Sequence, residues 1–314
     1  MDSLIYSLNA TLPVFLVIVV GYVLKQIGIL NDGFVKTANK FNFVVTLPVL
    51  LFVDLSTTDI IGDFDITYVL YCALVTTVAF FGLWIAAKFL IKDKKIVGEF
   101  VQAGYRSSAA ILGVAFIQNI YGDSGMAPVM IIGCVPLFNI FSVLVLTFEG
   151  EKDGGKGNII NSLINIVKNP IIIGIVLGVS ASLLKIDFPE IIDKTLASLA
   201  KMASPLALIT IGAGFEGRKA IAKIKPTIAA TMIKLVVLPA VFLPIAIKLG
   251  FRDQALVALI IMLGSPTTPS SYIMAKNMGH EGVLTSSVVV ATTLMSSLCL
   301  TFWIFVARYF GYII

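Results

Sequence analysis

The sequence predicts an all-α integral membrane protein of ten transmembrane helices in two inverted five-helix repeats. Three observations carry that expectation. The 314 residues are 58% hydrophobic and 13% charged, against roughly 45–50% and about 25% in soluble domains, and the mean hydropathy is +0.99. Apolar stretches of about 20 residues, each long enough to cross a bilayer as a helix, recur along the whole chain. The two halves also resemble each other. With an odd number of spans in each, the second copy must enter the membrane upside down relative to the first.

Taken in order, the apolar spans fall near 8–27, 38–57, 67–88, 99–120, 127–148, 162–184, 195–215, 227–247, 255–275 and 284–308. The first does not read as a secretory signal. Asp2 stands where a basic segment should precede it, and no small-residue cleavage site follows. The loop after the second span carries Asp54, Asp59, Asp63 and Asp65 and no base. The glycine-rich EGEKDGGKGN (149–158) reads as a flexible link between a first repeat, 1–150, and a second, 160–314.

Lysine and arginine in short loops set orientation. With the N-terminus outside, the inner loops hold Lys25, Lys36, Lys40, Lys88, Lys92, Lys94, Lys95, Lys152, Lys156, Arg218, Lys219, Lys223, Lys225 and Lys276, and the outer loops far fewer bases. Both termini are therefore expected outside a multi-pass cell (inner) membrane. The net charge of +5 follows from this asymmetry and requires no nucleic-acid partner. Cys72, Cys134 and Cys299 lie singly inside spans, so neither a disulfide framework nor a metal site is expected, and no cofactor is implied.

The internal repeat is visible in four ordered matches. TLPVFLVIVVG (11–21) aligns with KNPIIIGIVLG (168–178), placing Pro13 over Pro170 and Gly21 over Gly178, and Pro48 falls over Pro205. IAAKFLIKD (85–93) aligns with IAIKLGFRD (245–253), Gly104 with Gly264, and YGDSG (121–125) with MGHEG (278–282). Inverted repeats of this kind build many secondary transporters, whose sites lie near the midplane at discontinuous helices.

The ninth span is the one visibly broken. LGSPTTPSSYIMAKNMG (263–279) sets Pro266 and Pro269 among five serine and threonine hydroxyls, directly after ALVALIIM. Proline lacks the backbone donor and collides with the preceding turn. The freed carbonyls need partners that lipid cannot provide. In the fourth span YRSSAAILG (105–113) has two serines, small alanines and flanking Gly104 and Gly113. A helix that restarts at the midplane presents unpaired N–H groups and a positive dipole end, which favour an anion. Restarts near Ser108–Ala109 and Thr267–Thr268 would converge on one ligand.

At these residues the chain resembles the auxin efflux carrier family, which includes bacterial anion permeases and the plant PIN-type carriers. The stretches that carry the resemblance are NFVVTLPVLLF (42–52), YRSSAAILGVAFIQNIYG (105–122), KNPIIIGIVLG (168–178) and LGSPTTPSSYIMAKNMG (263–279), and it covers the whole chain. The resemblance implies a crossover of the fourth and ninth helices at the midplane and elevator-like transport of a small organic anion. Pro266 takes the family's crossover proline, and Thr267 follows it in the ligand-facing position. Ser108 stands where many members have asparagine. Ser107 falls at the matching proline of PIN carriers and Leu51 at a PIN serine; these departures weaken the first break and the case for auxin itself. The link after 148 is short, as in the bacterial carriers.

The candidate substrate-binding residues are Ser107, Ser108, Ala109, Pro266, Thr267, Thr268, Pro269, Arg106, Asn42 and Asn139. Arg106 either draws anions inward or snorkels to the surface. Lys234 has the same choice between snorkelling, the preferred reading, and a structural or gating pair. Asn42 and Asn139 fit interhelical hydrogen bonds better than ligand contact. Lys276 is expected to anchor the interface, His280 to lie in an inner loop, and Asp54 and Lys201 to sit near outer span ends, where they could pair. The reading is a transporter of small carboxylates in the lipid bilayer. The alternative is a sodium-coupled organic anion symporter of the bile acid type. No HExxH, paired membrane aspartates or Ser–His pair points to an enzyme. Exposed apolar helices are compatible with a monomer or a homodimer.

Overall fold

The computed structural model describes residues 2–57, 65–109, 117, 121, 125–150, 164 and 166–313, with only the backbone for 2–11. Among these residues every regular element is helical. The first half comprises α1 (Asp2–Gln26), α2 (Asp32–Phe41), α3 (Leu47–Ser56), α4 (Ile66–Leu90), α5 (Val97–Tyr105) and α6 (Ala127–Phe148). The second comprises α7 (Pro170–Leu183), α8 (Glu190–Ala213), α9 (Gly217–Ala222), α10 (Ile224–Met232), α11 (Leu238–Lys248), α12 (Asp253–Gly264), α13 (Ser270–Asn277) and α14 (Val283–Tyr309). The second part of the fourth span with Gly113, the loop acids Asp59 and Asp63, and most of the link after 150 lie outside the described residues.

Among the described residues six helical stretches are long and apolar enough to cross a membrane: Asp32–Ser56, Ile66–Leu90, Ala127–Phe148, Glu190–Ala213, Ile224–Lys248 and Val283–Tyr309. Leu12–Gln26, Pro170–Leu183 and Asp253–Gly264 are shorter apolar helices. The protein is a multi-pass helical membrane protein. Its apolar residues face outward in stripes. On α4, Leu70, Leu74, Val78, Phe81, Ile85 and Phe89 recur at helical spacing and all are exposed, Phe89 by 84%. Such a stripe is stable when the solvent is hydrocarbon.

Local chemistry sets the ends and bends. Asn31 caps α2 by accepting from Phe34 N at 2.8 Å, and Asp65 caps α4 by accepting from Thr67 N and Tyr68 N at 2.9 and 3.2 Å. Asn169 caps α7, accepting from Ile171 N at 2.9 Å, with Pro170 at the first helical position where its missing donor is no loss. Two prolines of the apolar interior, Pro48 and Pro239, are absorbed by widened turns. A π-helical segment, Asn42–Thr46, precedes Pro48, and another, Ile233–Val237, precedes Pro239. The carbonyl that Pro239 leaves free, Leu235 O, accepts from Trp303 Nε1 at 3.0 Å.

Two helix pairs pack through glycine. A Cβ on Gly21 or Gly212 would lie 2.3 or 1.9 Å from the carbonyl oxygens of Ile209 and Ile18, so α1 and α8 touch backbone to backbone. Gly174 and Gly178 do the same for α7 against α3, at 2.5 Å from Pro48 O and 2.8 Å from Phe52 O. Gly21 and Gly178 are separated in sequence by as much as Phe52 and Ile209. The α1–α8 and α7–α3 contacts are thus related by one constant offset in sequence. Within this frame all of α5 and most of α12 are buried. The interrupted helices occupy the centre.

Candidate functional site

α5 and α12 both stop within the buried interior, and their ends meet. α5 stops at Tyr105, and Arg106 is extended (φ −76°, ψ 139°). α12 stops at Gly264, Ser265 is extended (φ −73°, ψ 160°), and helix resumes at Ser270 after Pro269. The segments lie against each other: Ser108 N donates to Pro266 O at 2.9 Å. Each end is capped by a hydroxyl of the other. Ser107 Oγ donates to Met262 O at 2.7 Å, and Thr267 Oγ1 donates to Ala103 O at 2.7 Å. Thr267 N donates to Thr292 Oγ1 of α14 at 3.1 Å. Met262 O, Ala103 O and Pro266 O therefore find partners across the crossing. Each such bond avoids a desolvation penalty of about 1–3 kcal/mol. Ser265 Oγ and Ser271 Oγ are buried without a hydrogen-bond partner among the described residues.

Beside the crossing lies a cavity of about 50 Å³. Leu47, Leu50, Leu51 and Asp54 of α3, Ile171 of α7, and Ala203 and Ser204 of α8 line one side; Arg106, Ser107, Ser108, Val135, Phe138, Asn139, Thr268 and Ser270 line the other. Arg106 is 4% exposed. Its Nη2 donates to Asn139 Oδ1 at 2.6 Å and to Ser270 Oγ at 2.8 Å, and Nη1 donates to Met274 Sδ. These three partners are all neutral. None of them neutralises the guanidinium's charge, which lies at the cavity.

Of the residues expected at the site, Arg106, Ser107, Ser108, Asn139 and Thr268 line this cavity. Arg106 is buried and does not snorkel, because Asn139 and Ser270 hold it in the interior. Thr267, expected to face the ligand, is 1% exposed and uses its hydroxyl on Ala103 O. Pro266, Pro269 and Ala109 are buried behind the cavity wall. Whether helix restarts beyond Ala109 lies outside the described residues. Asn42 is an interhelical link: its Nδ2 donates to Ala203 O at 2.9 Å, and its Oδ1 accepts from Thr46 Oγ1 at 2.6 Å.

Lys234 departs from the sequence reading; Asp54 and His280 lie at the span end and in the loop expected for them, with more specific surroundings, and Glu99 went unmarked. Lys234 does not snorkel but is fully buried, its Nζ donating to Leu263 O at 2.6 Å and Met262 O at 3.3 Å. Asp54 lines the cavity, whereas Lys201 is exposed. His280 is buried and its Nε2 lies 2.9 Å from Leu146 O. Glu99, which the sequence did not mark, is 1% exposed. It accepts from Gly282 N, Thr285 N and Thr285 Oγ1, each at 2.9 Å, and so caps α14 from α5. Ser270 and Ser204 were also missed as lining residues. Each neighbours a proline already singled out, Pro269 and Pro205, and that adjacency was the available signal.

A second cavity, of about 600 Å³, lies where α1, α2, α8 and α13 meet. Lys25, Lys36, Lys40 and Lys276 line it with Asp32, Glu216, Asn39, Tyr272 and Asn277. α13 runs between the two cavities, with Ser270 at the first and Tyr272, Lys276 and Asn277 at the second.

A family model described as "Membrane transport protein" matches residues 6–304, almost the whole chain. The chain belongs to this family, that of the auxin efflux carriers. Its relatives are similar throughout but at low identity. An "Uncharacterized transporter" of Methanothermobacter thermautotrophicus is 24% identical over 95% of this chain and 97% of its own length. The "Uncharacterized transporter YfdV" of Escherichia coli K12 is 23% identical over 97% of this chain and 99% of its own length. A Rhizobium meliloti protein named "Putative malonate transporter" is 24% identical over 95% and 94%. This auxin efflux carrier family member is thus a membrane transporter and not an enzyme.

Proposed function

We propose that the protein is a secondary transporter of small organic carboxylates, with ten spans in two inverted repeats, 1–150 and 160–314, and both termini outside the cell membrane. The substrate sits in the cavity at the crossing of the fourth and ninth spans and moves by an elevator-like displacement. The observation that carries this reading is Arg106: a buried guanidinium with neutral partners, at a cavity edged by the hydroxyls of Ser107, Ser108, Thr268 and Ser270. A carboxylate placed there meets one fixed positive charge, several donors and the N-terminal end of α13. Asp54 supplies a negative charge to the same cavity, so binding is moderated enough for release. The exchanged glycine contacts of α1–α8 and α7–α3 support the inverted repeat. One relative bears malonate in its name, which favours a short dicarboxylate.

The test is electrical. Purified protein in sodium-free proteoliposomes is challenged in turn with malonate, malate, lactate and indole-3-acetate, with radiolabel uptake recorded in parallel. Saturable transport of at least one, strongest for the short dicarboxylates, is the expected result. No uptake of any of the four by either readout refutes the proposal, and uptake appearing only on addition of sodium selects the symporter alternative.

A further inference from the structure

Lys234 is a basic side chain enclosed in protein, and its partners are unusual. It sits on the π-helical segment Ile233–Val237 and is fully buried. None of the ion pairs among the described residues includes it. Its Nζ instead donates to Leu263 O at 2.6 Å and Met262 O at 3.3 Å. These are among the last carbonyls of α12, which a helix end leaves unpaired and which carry the negative end of its dipole. Met262 O also accepts from Ser107 Oγ at 2.7 Å, and Ile261 O accepts from Ser265 N at 2.9 Å. At the interrupted end of α12 the carbonyl oxygens of Met262 and Leu263 thus converge on one amino group, while Ile261 O is taken by Ser265 N.

Charge buried away from water is costly unless dipoles compensate it. Converging carbonyls at a half-helix C-terminus are the arrangement by which transporters of inverted-repeat architecture hold a coupling sodium or proton. We infer that Lys234 is a tethered cation: its ammonium fills the carbonyl cluster at the end of α12 that would otherwise take a small monovalent cation. The crossing then keeps its charge compensation at every stage of the cycle without recruiting an ion. This deepens the proposed function, because it supplies the reason transport on this architecture would run without sodium. It also joins the cation to the substrate cavity by one atom, Met262 O, which is shared between Lys234 and Ser107.

The experiment reads cation binding without any transported substrate, so it fails or succeeds separately from the carboxylate proposal. The thermal midpoint of purified full-length protein is measured in choline chloride, sodium chloride and methylammonium chloride at equal ionic strength. The wild type is expected to show the same midpoint in all three. Lys234→Ala, which opens the ammonium's place, is expected to melt lower in choline and to rise saturably with sodium or methylammonium. A sodium-specific rise in the wild type, or a Lys234→Ala protein insensitive to both cations, overturns the inference. Should Lys234→Ala yield no folded protein, Lys234→Gln decides, since its amide keeps donors for the carbonyls but lacks charge. A midpoint equal to wild type then overturns the inference, and a lowered midpoint that sodium raises supports it.

Discussion

Replacing Arg106 with glutamine removes the one buried positive charge at the proposed substrate cavity while keeping a side chain that can still donate to Asn139 or Ser270. The wild-type guanidinium makes hydrogen bonds of 2.6 and 2.8 Å to these residues, so its position is set before any ligand arrives. A hydrogen bond to a charged partner is worth about 1.5–3 kcal/mol, and the Coulomb term for unit charges 4 Å apart is about 4 kcal/mol at an effective dielectric of 20. Asp54 in the same cavity offsets part of the latter. A net loss near 2–3 kcal/mol raises the apparent substrate constant by about 30- to 150-fold, since each 1.4 kcal/mol is a factor of ten. A lysine in place of the arginine keeps the charge but not the planar fork, so Arg106→Lys should fall between wild type and Arg106→Gln. The assay is concentration-dependent uptake of the best dicarboxylate in proteoliposomes, with protein amount and monodispersity matched. An unchanged apparent constant in Arg106→Gln refutes the assignment of Arg106 to the substrate and makes it an internal strut.

Three further outcomes follow from the packing. Thr267→Val leaves Ala103 O without its donor and Thr267's place filled, so the thermal midpoint should fall by an amount corresponding to about 1–3 kcal/mol; Ser108→Val, at the cavity, should instead weaken uptake with a smaller stability change. Gly212→Ala places a Cβ 1.9 Å from Ile18 O and should abolish recovery of monodisperse protein, whereas Gly217→Ala, whose nearest neighbour is 3.9 Å away, should be recovered normally. At the loop before α14, the hydrogen bond from Lys223 at 2.5 Å holds the Glu281 carboxyl below its ordinary 4.5. A lowered folded-state value contributes stability that is present above the unfolded value and lost as pH falls through the folded one. Glu281 is more than half exposed, so Glu281→Gln should cost only a few tenths of a kcal/mol at pH 7 and nothing near pH 3, read as the difference in thermal midpoint at the two values.

What could be read in the sequence depended on whether the cause was local. Pro266 and Pro269 carry their effect within their own turn, so the interruption of the ninth span was legible. The fourth span has no proline, and its interruption after Tyr105 is held by bonds to Pro266, Met262 and Thr267, far away in sequence. Only the serines hinted at it. Lys234 and Arg106 were ambiguous because a long basic side chain at a given depth can reach either water or protein; which it does depends on whether carbonyls or an amide lie within its arc, and here they do. Glu99 reads as an ordinary acid at the start of a span. Its function as the cap of α14 requires Gly282 and Thr285 to be beside it, and nothing near position 99 says so. Asp54 was grouped with the acidic loop it adjoins, though one helical turn places it on the cavity side of α3.

The side-chain hydrogen bonds divide the described helices into two bodies, and the division bears on the proposed movement. Tyr68 OH to Ala255 O, Tyr71 OH to Phe242 O, Tyr105 OH to Phe138 O and the Glu99 cap tie α4, α5, α6, α11, α12 and α14 together, and Arg106 adds α13 through Ser270. The glycine contacts and the bond from Asn42 to Ala203 O tie α1, the α2–α3 span, α7 and α8 together. Between the bodies, among the described residues, the polar links are sparse: Asn277 Nδ2 to Asn39 O at 3.1 Å, and Asn169 Nδ2 to Met278 Sδ at 3.8 Å, alongside the packing of α1 on α14. Both cavities lie on this boundary. An elevator-like displacement along it carries Arg106, Asn139, Thr268 and Ser270 as a unit and leaves Asp54 and Ser204 behind. A carboxylate bound to Arg106 then travels with its counter-charge, and Asp54 faces that charge in one position only. On the proposed reading, the geometry that binds the anion therefore also changes its electrostatic surroundings between loading and release.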